Sequence, residues 1–301
     1  MLYILQTALE LGFLYALVAM ALFLSYRVLD IADMTTDGCF VLGAAVSVTL
    51  TAAGHPILAI PAAMLAGSAA GFVTAFLQTR MGVPSILAGI ITNTGLYTVN
   101  LMAMGWSSNV SLLKTETVFT MLKATGIGGA WHETILSAFV TILMGAMLVF
   151  FLGTRLGLSI RATGDNRDMV RASSINPTFT ITVGLCMSNA LTALSGAMVG
   201  QYQKTVDING GTGIVVIGLA CLIIGETILG RRSIVTGVLA VMVGSFLYRL
   251  IYAIIFYTKI VPVEGLKLLT AVIVALAIAS PTLKNWVAFQ RRKAAARKGG
   301  Q

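Results

Sequence analysis

The chain has 301 residues, of which 57% are hydrophobic and only 10% charged, against about 25% charged residues in an ordinary soluble domain. This excludes a soluble globular protein and points to an integral membrane protein, whose formal net charge of +9 reflects topology and contact with anionic lipid head groups rather than nucleic-acid binding. Cys39, Cys186 and Cys221 sit apart in apolar or membrane-boundary segments with no CxxC spacing, so neither a disulfide framework nor a zinc site is read.

Apolar runs fall near residues 4–25, 38–54, 56–79, 84–105, 133–153, 178–201, 212–230, 233–257 and 262–281. A crossing needs roughly 20 apolar residues. The expected fold is therefore all-α: a single polytopic permease-like domain over residues 1–301 with about nine transmembrane helices. The first run carries Glu10 rather than a basic leader and is kept as a span. The second is short enough to be either a full crossing or a broken, re-entrant helix.

Asp33, Thr35, Thr36, Asp37 and Gly38 stand just before that short run. The pattern fits a half-inserted helix whose first N–H groups serve a polar ligand, and equally a surface turn with N-cap residues. Asp33, Gly38 and Gly43 are faintly echoed by Asp207, Gly213 and Gly218, as an inverted repeat of helices 1–4 and 6–9 would require. In the fourth run Asn93, Thr94, Tyr97 and Asn100 recur about one turn apart. They line a path or join helices by hydrogen bonds. Ser188 and Asn189 in the sixth run extend the candidate path, which comprises Asp33, Thr36, Asp37, Asn93, Tyr97, Asn100, Ser188 and Asn189. Glu226 is expected to pair with Arg231 or Arg232. Arg249, inside the eighth run, is expected to meet a carboxylate, to snorkel or to serve transport.

Lysine and arginine placement orients the chain. Arg27, Arg80, the arginines of 155–171, Arg231, Arg232 and a basic tail over 282–301 share one side if nine helices alternate; Lys114, Lys123, Lys204 and Lys259 share the other. The expectation is an N-terminus outside and a C-terminus in the cytoplasm, within the cell membrane. The long outside loop between Trp106 and His132 either caps a vestibule, docks a delivery protein or merely connects.

No phosphate loop, HExxH helix or GxSxG elbow occurs. His55 and His132 stand alone. No catalytic or metal site is read, and any nucleotide motor belongs to another polypeptide. The conspicuous polar stretch is 154–177. It is long enough for a short membrane-parallel helix opened by Ser159 and restarted at Asp165 or Asn166. Arg161, Arg167, Asp168 and Arg171 charge its surface, Asp168 and Arg171 lying three apart on one face, and Ile160, Met169, Val170 and Ile175 supply apolar contacts. A loop made basic only to fix topology is the other reading.

Ile160-Arg161-Ala162-Thr163-Gly164-Asp165-Asn166, followed by Arg171-Ala172 and Ile175-Asn176, resembles the cytoplasmic coupling-loop signature of permeases in branched-chain amino acid ABC importers. Ser188 to Ala197 and Gly218 to Glu226 resemble later segments of that family, and Asp33 to Ala45 resembles its subgroup of tryptophan or tyrosine transport permeases. Val170 and Ser174 replace the Ala and Gly of the signature. The resemblance implies a membrane subunit importing an amino acid or related small polar solute, working as a homodimer or heterodimer with a second permease copy. It further implies a cytoplasmic ATP-binding cassette ATPase that carries ATP and Mg, no cofactor on this chain, and an extracellular or periplasmic substrate-binding protein. The coupling residues would be Arg161, Gly164, Asp165, Asn166, Arg167, Asp168, Arg171 and Ile175. The alternative is an ion-coupled secondary transporter using Asp33, Asp37, Glu226 and Arg249.

Overall fold

The computed structural model describes residues 2–113, 115–126, 129–230 and 233–258, with isolated positions beyond. The basic tail, Lys114, Lys259, Arg231, Arg232 and nearly all of the expected ninth span lie outside the described residues.

The helices run α1 (Leu2–Leu22, continued by a π-helical turn Phe23–Val28), α2 (Thr36–Ala52), α3 (Pro56–Thr79), α4 (Ser85–Ala103), α5 (Val118–Ala124), α6 (His132–Gly153), α7 (Arg155–Asp165), α8 (Arg167–Ala172), α9 (Pro177–Gln203), α10 (Ile214–Leu229) and α11 (Ile234–Thr258). Each of the first eight apolar runs coincides with one helix, and the polytopic all-α architecture follows. Among the described residues six helices are long and apolar enough to cross a bilayer, while α2 and α10 are shorter. Nine full crossings are thus not what the described residues display. Among the described residues the strands form a small ribbon in which Asn109–Ser111 (β1) pairs antiparallel with Thr205–Asp207 (β2), register Val110 to Val206.

Local chemistry places the helix ends. Pro56 and Pro177 occupy first helical positions, where a missing N–H costs nothing, and Asn176 accepts from Thr178 N at 3.0 Å. The polar stretch 154–177 folds as two short helices, but Ser159 does not open it. Thr154 caps α7 by accepting from Gly157 N, whereas the Ser159 hydroxyl bonds back to the Arg155 carbonyl. Asn166 restarts the chain as the cap of α8, accepting from Asp168 N and Met169 N at 3.0 Å each.

α9 is the central post, with α3, α2 and α1 packed along it. Cβ atoms at Gly67 or Gly71 of α3 would strike the α9 backbone near Asn189 and Leu185. Such small-residue contact is what holds membrane helices together, since interhelical hydrogen bonds average only about 0.6 kcal/mol. The second half repeats the plan: α11 lies on α1 as α3 lies on α9, and α10 packs on α11 as α2 does on α3. The faint sequence echo has a physical meaning here. Gly43 of α2 abuts Ala193 of α9, and Gly218 of α10 abuts Val18 and Leu22 of α1. Asp33 accepts from Thr35 N and Asp207 from Asn209 N, the same i to i+2 turn ahead of each short helix.

The two ends of the bundle differ in charge. At one, Glu10 accepts from Thr134 Oγ1 at 2.7 Å and Tyr202 OH at 2.8 Å, with Lys123 and Lys204 in electrostatic range of neighbouring Glu133. Gln201 ties this end together by accepting from Val118 N and donating to Ser47 Oγ and the Pro56 carbonyl, so the 106–132 loop is anchored through α5. The opposite end holds α7, α8 and an ion pair between Arg27 and Glu226 at 3.1 Å. The fold thus brings Glu226 a partner from the end of α1, far away in sequence, while the expected partners Arg231 and Arg232 lie outside the described residues.

Candidate functional site

α2 and α10 both begin in the interior. Asp33, just ahead of α2, receives Asn189 Nδ2 on its Oδ2 at 2.7 Å, and Asn189 is near the midpoint of α9. From there α2 runs to the Glu10 end and α10 to the Arg27 end. Asp37, in the first turn of α2, receives Gly213 N on one carboxylate oxygen at 3.0 Å and Val215 N on the other at 2.8 Å. A carboxylate at these N–H groups satisfies donors a helix start leaves open and complements its dipole. The break before α2 is produced by the π-turn, by Asp30 in the left-handed region at φ +53° and by the turn at Asp33.

Beside the paired helix starts lies a cavity of about 510 Å³, within the usual range for small-molecule sites. Asp37, Gly38, Asn93, Tyr97 and Asn100 line it together with Asn209, Gly211 and Thr212. The α4 stripe both joins α4 to α2 and lines this cavity. Asn100 is buried and donates to the Gly38 carbonyl at 3.0 Å, which joins α4 to α2, while its Oδ1 lacks a donor. Asn93, Tyr97 and the exposed Thr94 face the open space. The lining is polar and mixed in donors and acceptors: the Asp37 carboxylate, the asparagine amides and the hydroxyls of Thr94, Tyr97 and Thr212.

The remaining candidate residues lie away from this cavity. Thr36 Oγ1 donates to the Asp33 carbonyl, Ser188 Oγ to the Ala21 carbonyl at 2.8 Å, and Asp33 and Asn189 hold each other. All four are buried and none lines the cavity. Asn209, Gly211 and Thr212 were missed in sequence; the signal for them is the Gly210-Gly211-Thr212-Gly213 cluster directly before an apolar run. Arg249 meets no carboxylate among the described residues and lies 9% exposed, with its guanidinium carbon 3.5 Å above the Tyr15 ring.

In α7 and α8, Arg161, Arg167 and Arg171 project outward with Asp165 and Asp168, and Arg171 meets Asp168 at 3.7 Å. Ile160 and Val170 are buried beneath, and Ile175 is half-buried. Gly164 touches the end of α1, where a Cβ would collide with the Val28 carbonyl oxygen. Ser174 adopts φ +59°, in the left-handed region.

Residues 4–280 match the family described as branched-chain amino acid transport system, permease component. The chain belongs to this permease family. A tyrosine transport system permease protein of Clostridioides difficile (strain R20291) is 32% identical over 270 residues, covering 89% of this chain and 88% of the relative. An uncharacterised protein of Rickettsia prowazekii (strain Madrid E) is 30% identical over 285 residues, covering 92% and 97%. Among solved structures, a metal-chelate type ABC transporter in an inward-facing conformation aligns with TM-score 0.50 and 16% identity, over 93% of this chain and 85% of that one. The permease is thus a multi-pass membrane subunit of a transport system, with the fold of an ABC transporter's membrane component.

Proposed function

We propose that the permease is the membrane subunit of an ATP-driven importer for an amino acid, with tyrosine or a similar aromatic amino acid the first solute to test in view of the Clostridioides difficile relative. The cavity beside Asp37, Asn93, Tyr97 and Asn100 forms part of the path, completed by a second copy of the permease. Residues 154–177 face the cytoplasm and bind an ATP-binding cassette ATPase, which carries ATP and Mg; this chain binds no cofactor. A substrate-binding protein delivers solute to the Glu10 end. The N-terminus is outside, and the tail over 282–301 is cytoplasmic.

One chain of contacts carries this reading. Gly164 of α7 rests on the Val28 carbonyl, Leu29 N and Ile31 N hold the π-turn through Leu24 O and Ser25 O, and the next residues lead to Asp33, Asn189 and the start of α2. Movement of the α7–α8 pair therefore bears on the break that positions Asp37 and the cavity. Polar, charged contacts suit a reversible interface of this kind.

Arg171→Glu reverses a charge on the exposed face, and Gly164→Val pushes α7 off the end of α1. Both variants should reach the membrane in normal amount yet lose the co-purifying ATPase, or keep it while ATP hydrolysis no longer drives uptake. Wild-type association and transport in both would remove 154–177 from the coupling role.

A further inference from the structure

Arg249 lies inside α11, within a span, with its side chain turned onto the ring of Tyr15 and with Tyr252 at 5.8 Å from its guanidinium carbon. Its Nε has no hydrogen-bond acceptor, and no carboxylate of a described residue is within ion-pair distance. The carboxylate placed at the neighbouring helix start, that of Asp37, already spends both oxygens on Gly213 N and Val215 N. A guanidinium carries five donors in a planar fork suited to an oxyanion. Ionisable groups at such depth are costly unless something pairs with them.

The group opens onto a cavity of about 430 Å³, separate from the one beside α4 and lined by Tyr15, Thr212, Ile214, Val216, Tyr252 and Arg249. Thr212 lines both cavities, so the Gly210-Gly211-Thr212-Gly213 segment is the wall between them. The second cavity offers one buried cation among aromatic and aliphatic walls, whereas the first is lined mainly by neutral amides and hydroxyls and by the already bonded Asp37.

We propose that Arg249, Tyr15 and Tyr252 form a second binding site, which takes a small oxyanion, carboxylate or phosphate, carried on an apolar body. The anion seats in the guanidinium fork and the apolar body lies along Val216, Ile214 and Tyr252. The proposal rests on the transport reading only for the source of the ligand: a carboxylate belongs to a solute, a phosphate to an anionic phospholipid.

The full chain in phosphatidylcholine nanodiscs is titrated with L-phenylalanine, 3-phenylpropionate and L-phenylalaninamide, and binding is measured calorimetrically. Both carboxylates should bind, and the amide at least about tenfold more weakly. Arg249→Gln should weaken carboxylate binding by at least about tenfold, and Arg249→Lys, a point charge without the fork, by less. Val216→Trp fills the cavity with Arg249 untouched, so it tests the site even if Arg249→Gln fails to fold, and should also abolish binding.

In a second arm, nanodiscs containing phosphatidylglycerol are examined by native mass spectrometry. Retention of that lipid by the wild type but not by Arg249→Gln or Val216→Trp, with no phenylpropionate binding, identifies the phospholipid as the source. Equal binding of acid and amide without Arg249-dependent lipid retention overturns the proposal. So does wild-type binding and retention in both variants, even with lowered thermal stability. Neither arm involves ATP or uptake, so failure here and failure of the ATP-driven reading are separate results.

Discussion

Asp37 of α2 caps α10: its carboxylate accepts the Gly213 and Val215 amides at 3.0 and 2.8 Å, across 176 and 178 residues of sequence. Two short helices of opposite direction are thereby held start to start beside a polar cavity, an arrangement that substrate-translocating membrane proteins use at mid-depth. Asp37→Ala leaves two part-buried amides without an acceptor and should cost about 1–3 kcal/mol. Thermal unfolding in detergent should fall by several degrees and solute uptake should be lost, with Asp37→Asn intermediate in stability. Unchanged melting of Asp37→Ala would show that the cap carries no load.

The α4 stripe separates into two kinds of residue. Asn93→Leu should impair uptake while membrane level and melting stay normal, because the Asn93 amide faces the cavity. Asn100→Leu removes a bond to the Gly38 carbonyl as well and should lower both uptake and melting, the latter by about 0.5–2 kcal/mol. Normal uptake in surviving Asn93→Leu protein would take α4 out of the path.

Ser174 occupies the left-handed region at φ +59° in the turn that follows α8. A side chain there costs about 1–2 kcal/mol relative to glycine. Ser174→Gly should therefore raise the melting temperature modestly without altering ATPase association, the sign being the test. A lower melting temperature would mean that the serine supplies a compensating contact.

Orientation is open to chemical labelling. With Cys186 replaced by serine and the buried Cys39 and Cys221 retained, a cysteine at Ser173 should react only from the cytoplasm. One at Ser108 should react only from outside. Labelling of both from the same face would contradict the proposed orientation.

The spans were legible because their signals are local: length, apolarity and the Asn176-Pro177 start are written in consecutive residues. So was the break before α2, through Asp33 to Gly38. The capping of α7 was misread because Ser159 and Thr154 are both competent caps, and only the backbone path after Gly153 selects Thr154. Pairings were not legible. Glu226 finds Arg27, and Arg249 finds Tyr15, because α10 and α11 pack on α1, a relation that no nearby residue signals. For the same reason Asp33, Ser188 and Asn189 are bonded to neighbouring elements away from the α4 cavity, while Asn209 and Thr212 reach it from a loop.

On the proposed function, ATP hydrolysis by a partner drives solute through this permease. Its most direct test is accumulation of labelled tyrosine in vesicles containing the permease, its neighbouring ATPase and the binding protein. Uptake should require ATP, stop with vanadate and be indifferent to an uncoupler; uptake that persists with vanadate or without the ATPase and collapses with the uncoupler would rule out an ATP-driven mechanism.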